Sequence, residues 1–332
     1  MGNEKKYNFC LIGAGRMGRR WARVLSEHPK SALKAVVDKD ESAAAEVAKE
    51  NQVSHSLSVE DFLTDSAIDA ALIATPHKYL YSYARLMLEA GKNVFIEKPG
   101  SCASEEMRTL VEIARNKNRV LMVGYNYRFF DSIRRAKEII LSGKIGKINF
   151  IRLRHGHPGR PSYDKEWRMD KELAGGGVVM DQGVHLIDLI NWFLPSNIES
   201  IKSTHNNLFW KSKAEENAFV ILKNVENQIA SIHVSVTQWK PIFSMEIYGE
   251  SGFCSIDGLG RKYGGSEVLT LGQYIDGILK EEKIVCNPDA DNSLRFELSE
   301  FISAIEEKRE SVPCGNDALR VLEIVERIYG DV

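Results

Sequence analysis

Residues 8–18 read NFCLIGAGRMG, a short apolar run followed by three glycines in the spacing G-x-G-x-x-G. The match alone is weak evidence, because glycine is common in turns. Here, however, the run predicts a buried strand, helical spacing follows it, and Asp38 ends the next predicted strand. In that context Gly13 makes a tight turn, Gly15 lets a pyrophosphate approach the backbone, and Gly18 lets the helix contact the strand. The stretch therefore predicts a dinucleotide-binding turn.

The residues around this turn indicate which dinucleotide it binds. A helix start offers N–H groups and the positive end of a dipole to phosphates. Asp38 would accept hydrogen bonds from an adenosine ribose, which favours NAD, whereas the cation of Lys39 leaves NADP possible. The alternative is a turn that binds no ligand or a different nucleotide. The predicted cofactor contacts in these segments are Gly13, Gly15, Arg16, Met17, Gly18, Asp38 and Lys39.

Strand and helix patterns alternate over the first third of the chain. After the first strand, further apolar runs predict strands at 33–38, 70–75, 93–99 and 119–127. Helical patterns separate them, and Ser104 is expected to cap one of these helices as part of a capping box. Such alternation implies a parallel sheet covered by helices on both faces. Residues 1–127 are therefore predicted to form a doubly wound α/β Rossmann domain that binds NAD(P).

The pattern changes after about residue 128. A helix is predicted at 178–194, and strand-like segments then follow one another without helices between them, at 198–204, 217–223, 228–237, 243–249 and 252–257. Such a succession implies a mostly antiparallel sheet. We therefore expect a second, α+β domain over 128–332, which ends in two helices at 293–309 and 316–329.

Composition and charge exclude several classes of protein. The 332 residues are 43% apolar and 27% charged, which is typical of globular proteins. With a net charge of −2, neither nucleic acid nor a membrane surface is an expected partner. No segment approaches the ~18 apolar residues of a membrane-spanning helix, and no signal peptide is evident, so the cytoplasm is the expected location. The five scattered cysteines predict free thiols and no thiolate metal site.

Glu97 and Lys98 lie at the carboxyl end of a predicted strand, where open α/β sheets bind ligands. Both are therefore predicted to contact the cofactor. Pro99 restricts the backbone around Lys98, so the lysine is expected on a defined turn. A lysine beside a nicotinamide can hold a substrate oxygen and favour its alkoxide form. The plain alternative is a solvated surface lysine, since most lysines are exposed.

The stretch GGGVVMDQGVHLIDLINW, residues 175–192, predicts an acid–base pair. Asp181 and His185 are four residues apart, which places them on one face of an α-helix. A histidine that titrates near neutrality can exchange a proton with a hydroxyl, and a carboxylate beside it can fix its orientation. The glycine triplet before the helix is expected to let another group approach the backbone closely. The alternative for a lone histidine is a structural role.

His155 and His157 are two residues apart on a predicted strand and so share one side of it. Together with the pair at 181 and 185 they could form a metal site. No cysteine or further histidine has a recognisable ligand spacing, so no metal is predicted. Hydrogen bonding to substrate is the preferred role, and solvated loop histidines are the alternative. The loop that follows could add a pocket wall or an interface through Arg160, Tyr163, Trp167 and Arg168.

Several motifs together resemble the glucose–fructose oxidoreductase, inositol dehydrogenase and MocA (Gfo/Idh/MocA) family. They are GAGRMG (13–18), ATP (74–76), AGKNVFIEKP (90–99), GYNYRF (124–129) and the 175–192 stretch, in this order. The resemblance implies a Rossmann domain followed by a substrate domain with a large open sheet. In this family that sheet commonly packs against a second subunit, which implies a homodimer or homotetramer.

The resemblance also implies a site and a chemistry. Lys98, Asp181 and His185 would form the catalytic group. Arg128, His155 and His157 would add substrate contacts, and Thr75 and Pro76 would add cofactor contacts. The implied reaction is the NAD(P)-dependent oxidation or reduction of a ring carbon in a sugar, a nucleotide-linked sugar or a cyclic polyol.

One departure from the family and two alternative functions remain open. Many members have N-x-x-H after ATP, whereas this chain has His77-Lys78-Tyr79-Leu80. Leu80 therefore replaces the usual histidine, and the contacts near the nicotinamide are expected to differ. The first alternative is a non-catalytic NAD(P)-sensing regulator, against which the retained catalytic group argues. The second is a reductase of a small open-chain ketone, aldehyde or imine, against which the polar stretch 155–168 argues.

Overall fold

The structure is a computed structural model that describes residues 5–286 and 291–330. The chain divides into two compact units, each built from two stretches of sequence. The first unit comprises Met1–Tyr125 and Leu294–Leu319, and the second comprises Asn126–Ser293 and Arg320–Val332, within the described residues. In that part of the chain no helix is long and apolar enough to cross a bilayer.

The first unit contains a parallel sheet with helices between its strands. Its strands are β1 (Tyr7–Ile12), β2 (Ser31–Val37), β3 (Ser54–Ser56), β4 (Ala70–Ile73), β5 (Asn93–Glu97) and β6 (Leu121–Gly124). Its helices before residue 125 are α1 (Arg16–Glu27), α2 (Glu41–Asn51), α3 (Glu60–Leu63), α4 (His77–Glu89) and α5 (Ser104–Lys117). The strand order β3-β2-β1-β4-β5-β6 reverses direction at β1, as in a doubly wound Rossmann sheet. The predicted α/β fold of this unit is confirmed.

One local prediction in the first unit is wrong, and two short elements were not predicted. Ser104 is not the cap of α5: the extended cap position is Ala103, and no side chain caps the helix there. The capping box is therefore absent, because the helix begins at Ser104, one residue earlier than the pattern indicated. Strand β3 and helix α3 were not predicted, since SHS is short and polar and carries no apolar pattern.

Helix α9 (Ser293–Glu307) packs almost entirely into the first unit, although the sequence prediction placed it in the second domain. Phe301 explains this assignment. Its ring is fully buried, and its centroid lies 6.1 Å from that of Phe9 and 5.7 Å from that of Phe95. The final helix, α10 (Gly315–Gly330), begins in the first unit and ends in the second. The sequence pattern showed both helices but not which apolar core each one covers.

The second unit is built on an eight-stranded sheet. Its strands are β7 (Ile148–Gly156), β8 (Ile198–Asn206), β9 (Asn217–Asn224), β10 (Ile229–Ser235), β11 (Ile242–Gly249), β12 (Gly252–Leu259), β13 (Tyr263–Ile275) and β14 (Ile278–Cys286). Their order is β14-β13-β12-β11-β7-β10-β9-β8, and only β7 and β10 pair in parallel. The helices are α6 (Asp131–Leu141), α7 (Lys171–Ala174) and α8 (Val184–Phe193). The predicted mostly antiparallel sheet is confirmed; β13 and β14 were missed, because their sequences are rich in glycine and in charge respectively.

Loops from distant parts of the chain meet at one end of the strands of this sheet. Because β7 and β10 run parallel between antiparallel neighbours, their last residues lie beside the first residues of β9 and β11. Gly156 pairs with Ser235 and with Ile242, and Ser235 pairs with Asn217. We call this end of the sheet the Gly156 edge. Strand β13 also begins there, at Tyr263.

Candidate active site

The three glycines of the 13–18 turn have different surroundings. Gly13 has a φ of +104°, and a Cβ there would lie 2.6 Å from the carbonyl oxygen of Ala74. A Cβ on Gly18 would lie 1.8 Å from the carbonyl oxygen of Gly13, whereas a Cβ on Gly15 would meet nothing within 4 Å. Gly13 and Gly18 are therefore required by the packing of the protein itself. Gly15 instead leaves space on the outside of the turn, as the approach of a ligand requires.

The start of α1 fits a bound pyrophosphate. No side chain caps the helix at Gly15, and no acidic residue lies in its first turn. The predicted cofactor contacts Arg16 and Met17 are the first two residues of this helix. The space beside Gly15 therefore faces a helix N-terminus whose dipole favours an anion.

Asp38, predicted as the ribose contact, braces the turn through its carboxylate. Its Oδ2 accepts the N–H of Ala14 at 2.6 Å, and its Oδ1 accepts the N–H of Asp40 at 3.0 Å. Each carboxylate oxygen has a second lone pair, so ribose hydroxyls can still bind. The exposed Lys39 reaches across to Tyr79, with its Nζ 5.6 Å from the centre of that ring.

The end of β5 carries Glu97 and Lys98. The Oε1 atom of Glu97 accepts the indole N–H of Trp21 at 2.7 Å, which joins α1 to the end of β5. Glu97, predicted as a cofactor contact, therefore has at least a structural task. Lys98 follows it, half-buried, and is joined to Pro99 by a cis peptide bond.

The segment after β4 contains the departure from the family pattern that the sequence shows at Leu80. Thr75 lies in the loop between β4 and α4, and Pro76 is the cap residue of α4. His77 begins the helix with its side chain buried, and Leu80 is fully buried one turn later. Leu80 thus contributes to the apolar core rather than to a polar surface.

In the second unit, Asp181 and His185 are both buried, with 2% and 5% of their surfaces exposed. The predicted continuous α-helix is wrong in its first turn, because Val179–Gly183 is a π-helix that continues into α8. Asp181 therefore lies on a wider turn than His185, and the regular four-residue spacing does not apply across the pair. Single π turns inside α-helices are frequent at functional sites.

A buried carboxylate holds the entry to this turn. The Oε1 atom of Glu215 accepts the N–H of Gly177 at 3.0 Å, the N–H of Val179 at 3.1 Å and the hydroxyl of Tyr329 at 2.8 Å. A Cβ on Gly176 would lie 2.2 Å from the Tyr329 oxygen, and one on Gly177 would lie 2.4 Å from the Glu215 main chain. We call this group the Glu215 clamp. It accounts for the close approach that the glycine triplet predicted.

Tyr127 connects the two buried histidines. Its ring stacks on that of His185 with centroids 4.1 Å apart and planes 8° apart. Its hydroxyl is hydrogen-bonded to Nε2 of His155 at 2.9 Å. Burial, followed by the nearby Tyr263 and Asp181, raises the pKa of Tyr127 well above its ordinary value of 10. Tyr127 is therefore neutral at physiological pH.

Asp181 faces cationic and phenolic groups. Its Oδ1 lies 3.6 Å from Nε of Arg168, and its Oδ2 accepts the side-chain N–H of Gln182 at 2.9 Å. Burial, and then the charge of Asp181, raises the pKa of Tyr163 above its ordinary value. The ring of His157 lies 5.7 Å from that of Tyr163. The loop after β7 thus does form a polar and aromatic wall beside Asp181.

Arg128, predicted as a substrate contact, lies in a buried ion pair. It is buried, and its Nε and terminal nitrogen donate to the two oxygens of Asp188 at 2.8 and 2.6 Å. Its guanidinium also lies over the ring of Trp192, 5.3 Å from the centroid. Both side chains of this ion pair are buried, and the pair joins the segment before α6 to helix α8.

The second unit brings three predicted residues together around Tyr127: His155, Asp181 and His185. Tyr127, Tyr263 and Glu215 were missed by the sequence reasoning. Tyr127 stands in the GYNYRF motif, which was the available signal, whereas Tyr263 and Glu215 lie in no motif. Within residues 5–286 and 291–330, no group of three or more His, Cys, Asp or Glu side chains is arranged to hold a metal ion.

Comparisons with known proteins agree with this fold. Inositol 2-dehydrogenase of Rhizobium meliloti (strain 1021) is 26% identical over 324 residues, which cover 96% of this chain and 94% of that protein. Levoglucosan dehydrogenase in complex with NADH has a TM-score of 0.88 at 20% identity, covering 98% of this chain and 97% of that one. UDP-N-acetylglucosamine 3-dehydrogenase from Acidithiobacillus ferrooxidans has a TM-score of 0.82 at 22% identity, with the same coverage. At these identities the two solved structures show a shared fold.

Two family models match the chain in sequence order. The model of the oxidoreductase family with an NAD-binding Rossmann fold matches residues 7–125, and that of the GFO/IDH/MocA C-terminal domain matches residues 133–255. The match confirms the predicted resemblance and the predicted class of cofactor. The turn at Gly15, with its open space and uncapped helix, agrees with that cofactor. This chain therefore belongs to the Gfo/Idh/MocA family of NAD(P)-dependent oxidoreductases.

Proposed function

We propose that this chain interconverts a carbinol and a ketone at a ring carbon of a sugar, a nucleotide-linked sugar or a cyclic polyol. Nicotinamide, when bound, supplies the acceptor or donor of hydride for such a reaction. The observation that carries the proposal is the buried group of Asp181, His185, Tyr127 and His155, which gathers acid–base side chains in one place. The named activities of the inositol and levoglucosan dehydrogenases support it.

His185 is the proposed proton acceptor in the oxidative direction. The flat stack of Tyr127 on its ring fixes the plane of the imidazole, so that the ring nitrogens point in constant directions. Asp181 is proposed to bind a hydroxyl next to the reacting carbon or to orient the histidine. Arg168, 3.6 Å away, partly offsets the charge of the carboxylate. A positioned acid–base group of this kind contributes roughly 10²- to 10⁴-fold to a rate.

Lys98 is proposed to hold the reacting oxygen, because its ammonium favours the alkoxide that develops as the proton leaves. His155 and His157 are proposed as hydrogen-bonding contacts for other substrate hydroxyls. Arg128 is now assigned a structural task through its pair with Asp188. We propose NAD as the preferred cofactor, with Asp38 as the ribose contact and Thr75 and Pro76 beside it.

The test is the reduction of NAD, followed at 340 nm, with a panel of sugars, nucleotide sugars and polyols. Lys98→Ala is expected to lose about 10²-fold or more in kcat while its Kd for NADH stays unchanged. Lys117→Ala, which removes an exposed lysine from the end of α5, is the matched control and should be unaffected. Near-normal turnover by Lys98→Ala would remove the lysine from the mechanism. Binding of NADH without turnover of any panel member would favour the sensor alternative.

We also propose a homodimer or homotetramer formed through the open face of the second sheet. Phe219 and Ile221 on β9 are each more than half exposed, and Ile229 on β10 lies nearby on the same face. Exposed apolar side chains that cluster on one sheet face mark an interaction surface. Ile221→Glu should lower the native mass measured by analytical ultracentrifugation, and an unchanged mass would exclude this face.

A further inference from the structure

Two loops at the Gly156 edge expose large aromatic side chains. Phe209 is 52% exposed and Trp239 is 80% exposed. The ring centroid of Phe209 lies 5.0 Å from that of Trp210 and 5.9 Å from that of Trp239. We call the loops 207–213 and 237–241, which carry these three rings, the aromatic platform. Contiguous exposed apolar side chains, unlike single ones, mark interaction or ligand-binding surfaces.

The platform is held in a defined position by a buried carboxylate. Glu216 is fully buried, and its two oxygens accept the backbone N–H groups of Phe209 (at 2.8 Å) and Trp210. The indole N–H of Trp210 donates to the carbonyl of Val236 at 3.0 Å. A Cβ on Gly159 would lie 2.5 Å from the Trp210 ring. Burial of a charge is costly unless it is hydrogen-bonded, so Glu216 indicates a built surface rather than a loose loop.

The platform borders the candidate active site within the second unit. The ring of Tyr163 lies 5.7 Å from that of His157 on one side and 5.6 Å from that of Trp210 on the other. The N–H of Gln238 donates to the carbonyl of His157 at 3.2 Å. Trp239 therefore follows a residue that is bonded directly to His157. The platform is therefore joined to His157 by two direct contacts, through the ring of Tyr163 and through the main chain of Gln238.

The charges within the two loops are all positive, and Lys213 also lines a pocket with the acidic residues Asp164, Asp170 and Glu172. Lys211, Lys213 and Lys240 are exposed, and the two loops contain no acidic residue. Flat aromatic faces bind nucleobases by stacking, and lysines bind phosphates as point charges. A free monosaccharide held at His157 would use neither feature, whereas a nucleobase joined to the sugar through two phosphates would use both.

We infer that the substrate is a sugar linked to a nucleoside diphosphate, whose base stacks on Phe209 and Trp239 and whose phosphates lie near the lysines. This inference rests on the proposed function and assigns the platform to the part of the substrate beyond the reacting ring. It gives Glu216 the task of holding the stacking surface. It also separates two regions of the site, since the platform affects affinity and the residues around Tyr127 affect turnover.

The test measures binding without turnover. Uridine diphosphate and guanosine diphosphate are titrated by calorimetry into the whole protein saturated with NADH, so that the 13–18 turn is already filled. At least one nucleotide is expected to bind, and Trp239→Ala should weaken its Kd about ten-fold or more, as the loss of one base stack predicts. Lys240→Ala should weaken it less, with a smaller salt dependence. Tyr274→Ala removes an exposed tyrosine at the opposite end of β13 and should leave Kd unchanged.

Four outcomes would overturn the inference. The first is the failure of both nucleotides to bind, and the second is an equal loss of nucleotide affinity in the Tyr274→Ala control. The third is a changed native mass of Trp239→Ala. The fourth is a disaccharide whose affinity depends on Trp239 when the affinity of the nucleotides does not. A changed mass would make the platform a subunit contact instead. Turnover of free sugars without nucleotide binding would leave the proposed function standing and remove this inference alone. Nucleotide binding together with normal turnover in Lys98→Ala would leave this inference standing and remove the lysine from the proposed mechanism.

Discussion

The two units build their candidate binding surfaces in opposite ways. In the first, the 13–18 turn exposes main chain within six consecutive residues, and one side chain, Asp38, braces it. In the second, the surface consists of side chains from separate segments that meet near Tyr127. A surface made of main chain is damaged by added atoms, whereas a surface made of side chains is damaged by removed ones. Substitution by alanine therefore adds a methyl group at a glycine of the first unit, whereas it removes a side chain from the surface of the second.

The largest effect is expected from His185→Ala, which removes the proposed proton acceptor. We expect kcat to fall by about 10²- to 10⁴-fold with the Kd for NADH unchanged, because the predicted cofactor contacts do not include this histidine. His55→Ala, which removes an exposed histidine from β3, is the control. Loss of NADH binding in His185→Ala would break the separation between the two surfaces.

A pair of substitutions in the turn tests whether added atoms do the damage. Gly18→Ala places a methyl 1.8 Å from the carbonyl oxygen of Gly13, so it should lower the free energy of unfolding by roughly 2–3 kcal/mol. Gly15→Ala meets nothing within 4 Å and should leave thermal stability unchanged while it weakens NADH binding. Thermal melts and NADH titration separate the two outcomes. Equal Tm losses would show that Gly15 is also needed for packing.

Tyr329→Phe tests the Glu215 clamp, a side-chain device that positions main chain. The variant removes the hydroxyl that donates to Glu215 and accepts the N–H of Gly177, and it keeps the ring, so it should lower the free energy of unfolding by only about 1 kcal/mol. If the clamp sets the position of Asp181, kcat should still fall by about five- to ten-fold, with little change in KM. A loss of stability without a change in kcat would make the clamp purely structural. Tyr274→Phe is a control for the loss of a tyrosine hydroxyl elsewhere.

The smallest effect is expected from Tyr127→Phe, which keeps the stack on His185 and loses the hydrogen bond to His155. We expect kcat to fall by about three-fold. Because the pKa of Tyr127 is raised well above 10, the hydroxyl stays protonated from pH 7 to 10 in the wild type. The alkaline limb of the pH–rate profile should therefore be the same in both proteins. A limb that disappears in the variant would show that Tyr127 itself titrates.

The sequence predicted the surface made of main chain far better than the one made of side chains. The turn, Asp38 and the strands around it depend on local spacing, and local spacing is visible in a single sequence. Asp181 and His185 were found because they share one short stretch. Their partners were not, since the bond from Tyr127 to His155 spans 28 positions and the one from Tyr329 to Glu215 spans 114. Contacts of that kind depend on the order of strands in the sheet.

Three features of the structure are not visible in the sequence for the same reason. The carboxylate that pairs with Arg128, Asp188, is 60 positions away. The stretch 175–192 predicts a regular helix, whereas Val179–Gly183 is a π turn. The N–H of Val179 is bonded to Glu215, which is bonded to Tyr329, and both partners are distant in sequence. Helix α9 was recognised but assigned to the second domain, because an amphipathic pattern does not identify the core that it covers.

The ring of Phe301, packed against Phe9 and Phe95, has a consequence for synthesis on the ribosome. Domains generally fold as units, with the N-terminal one first. In this chain all six strands of the first sheet emerge before the helix that completes their core. The nascent first unit must therefore wait, with apolar surface uncovered, while the 168 residues of Asn126–Ser293 are translated. The protein is exposed to aggregation during that interval, so helper proteins that bind nascent chains should matter more for it than for a protein with a continuous first domain.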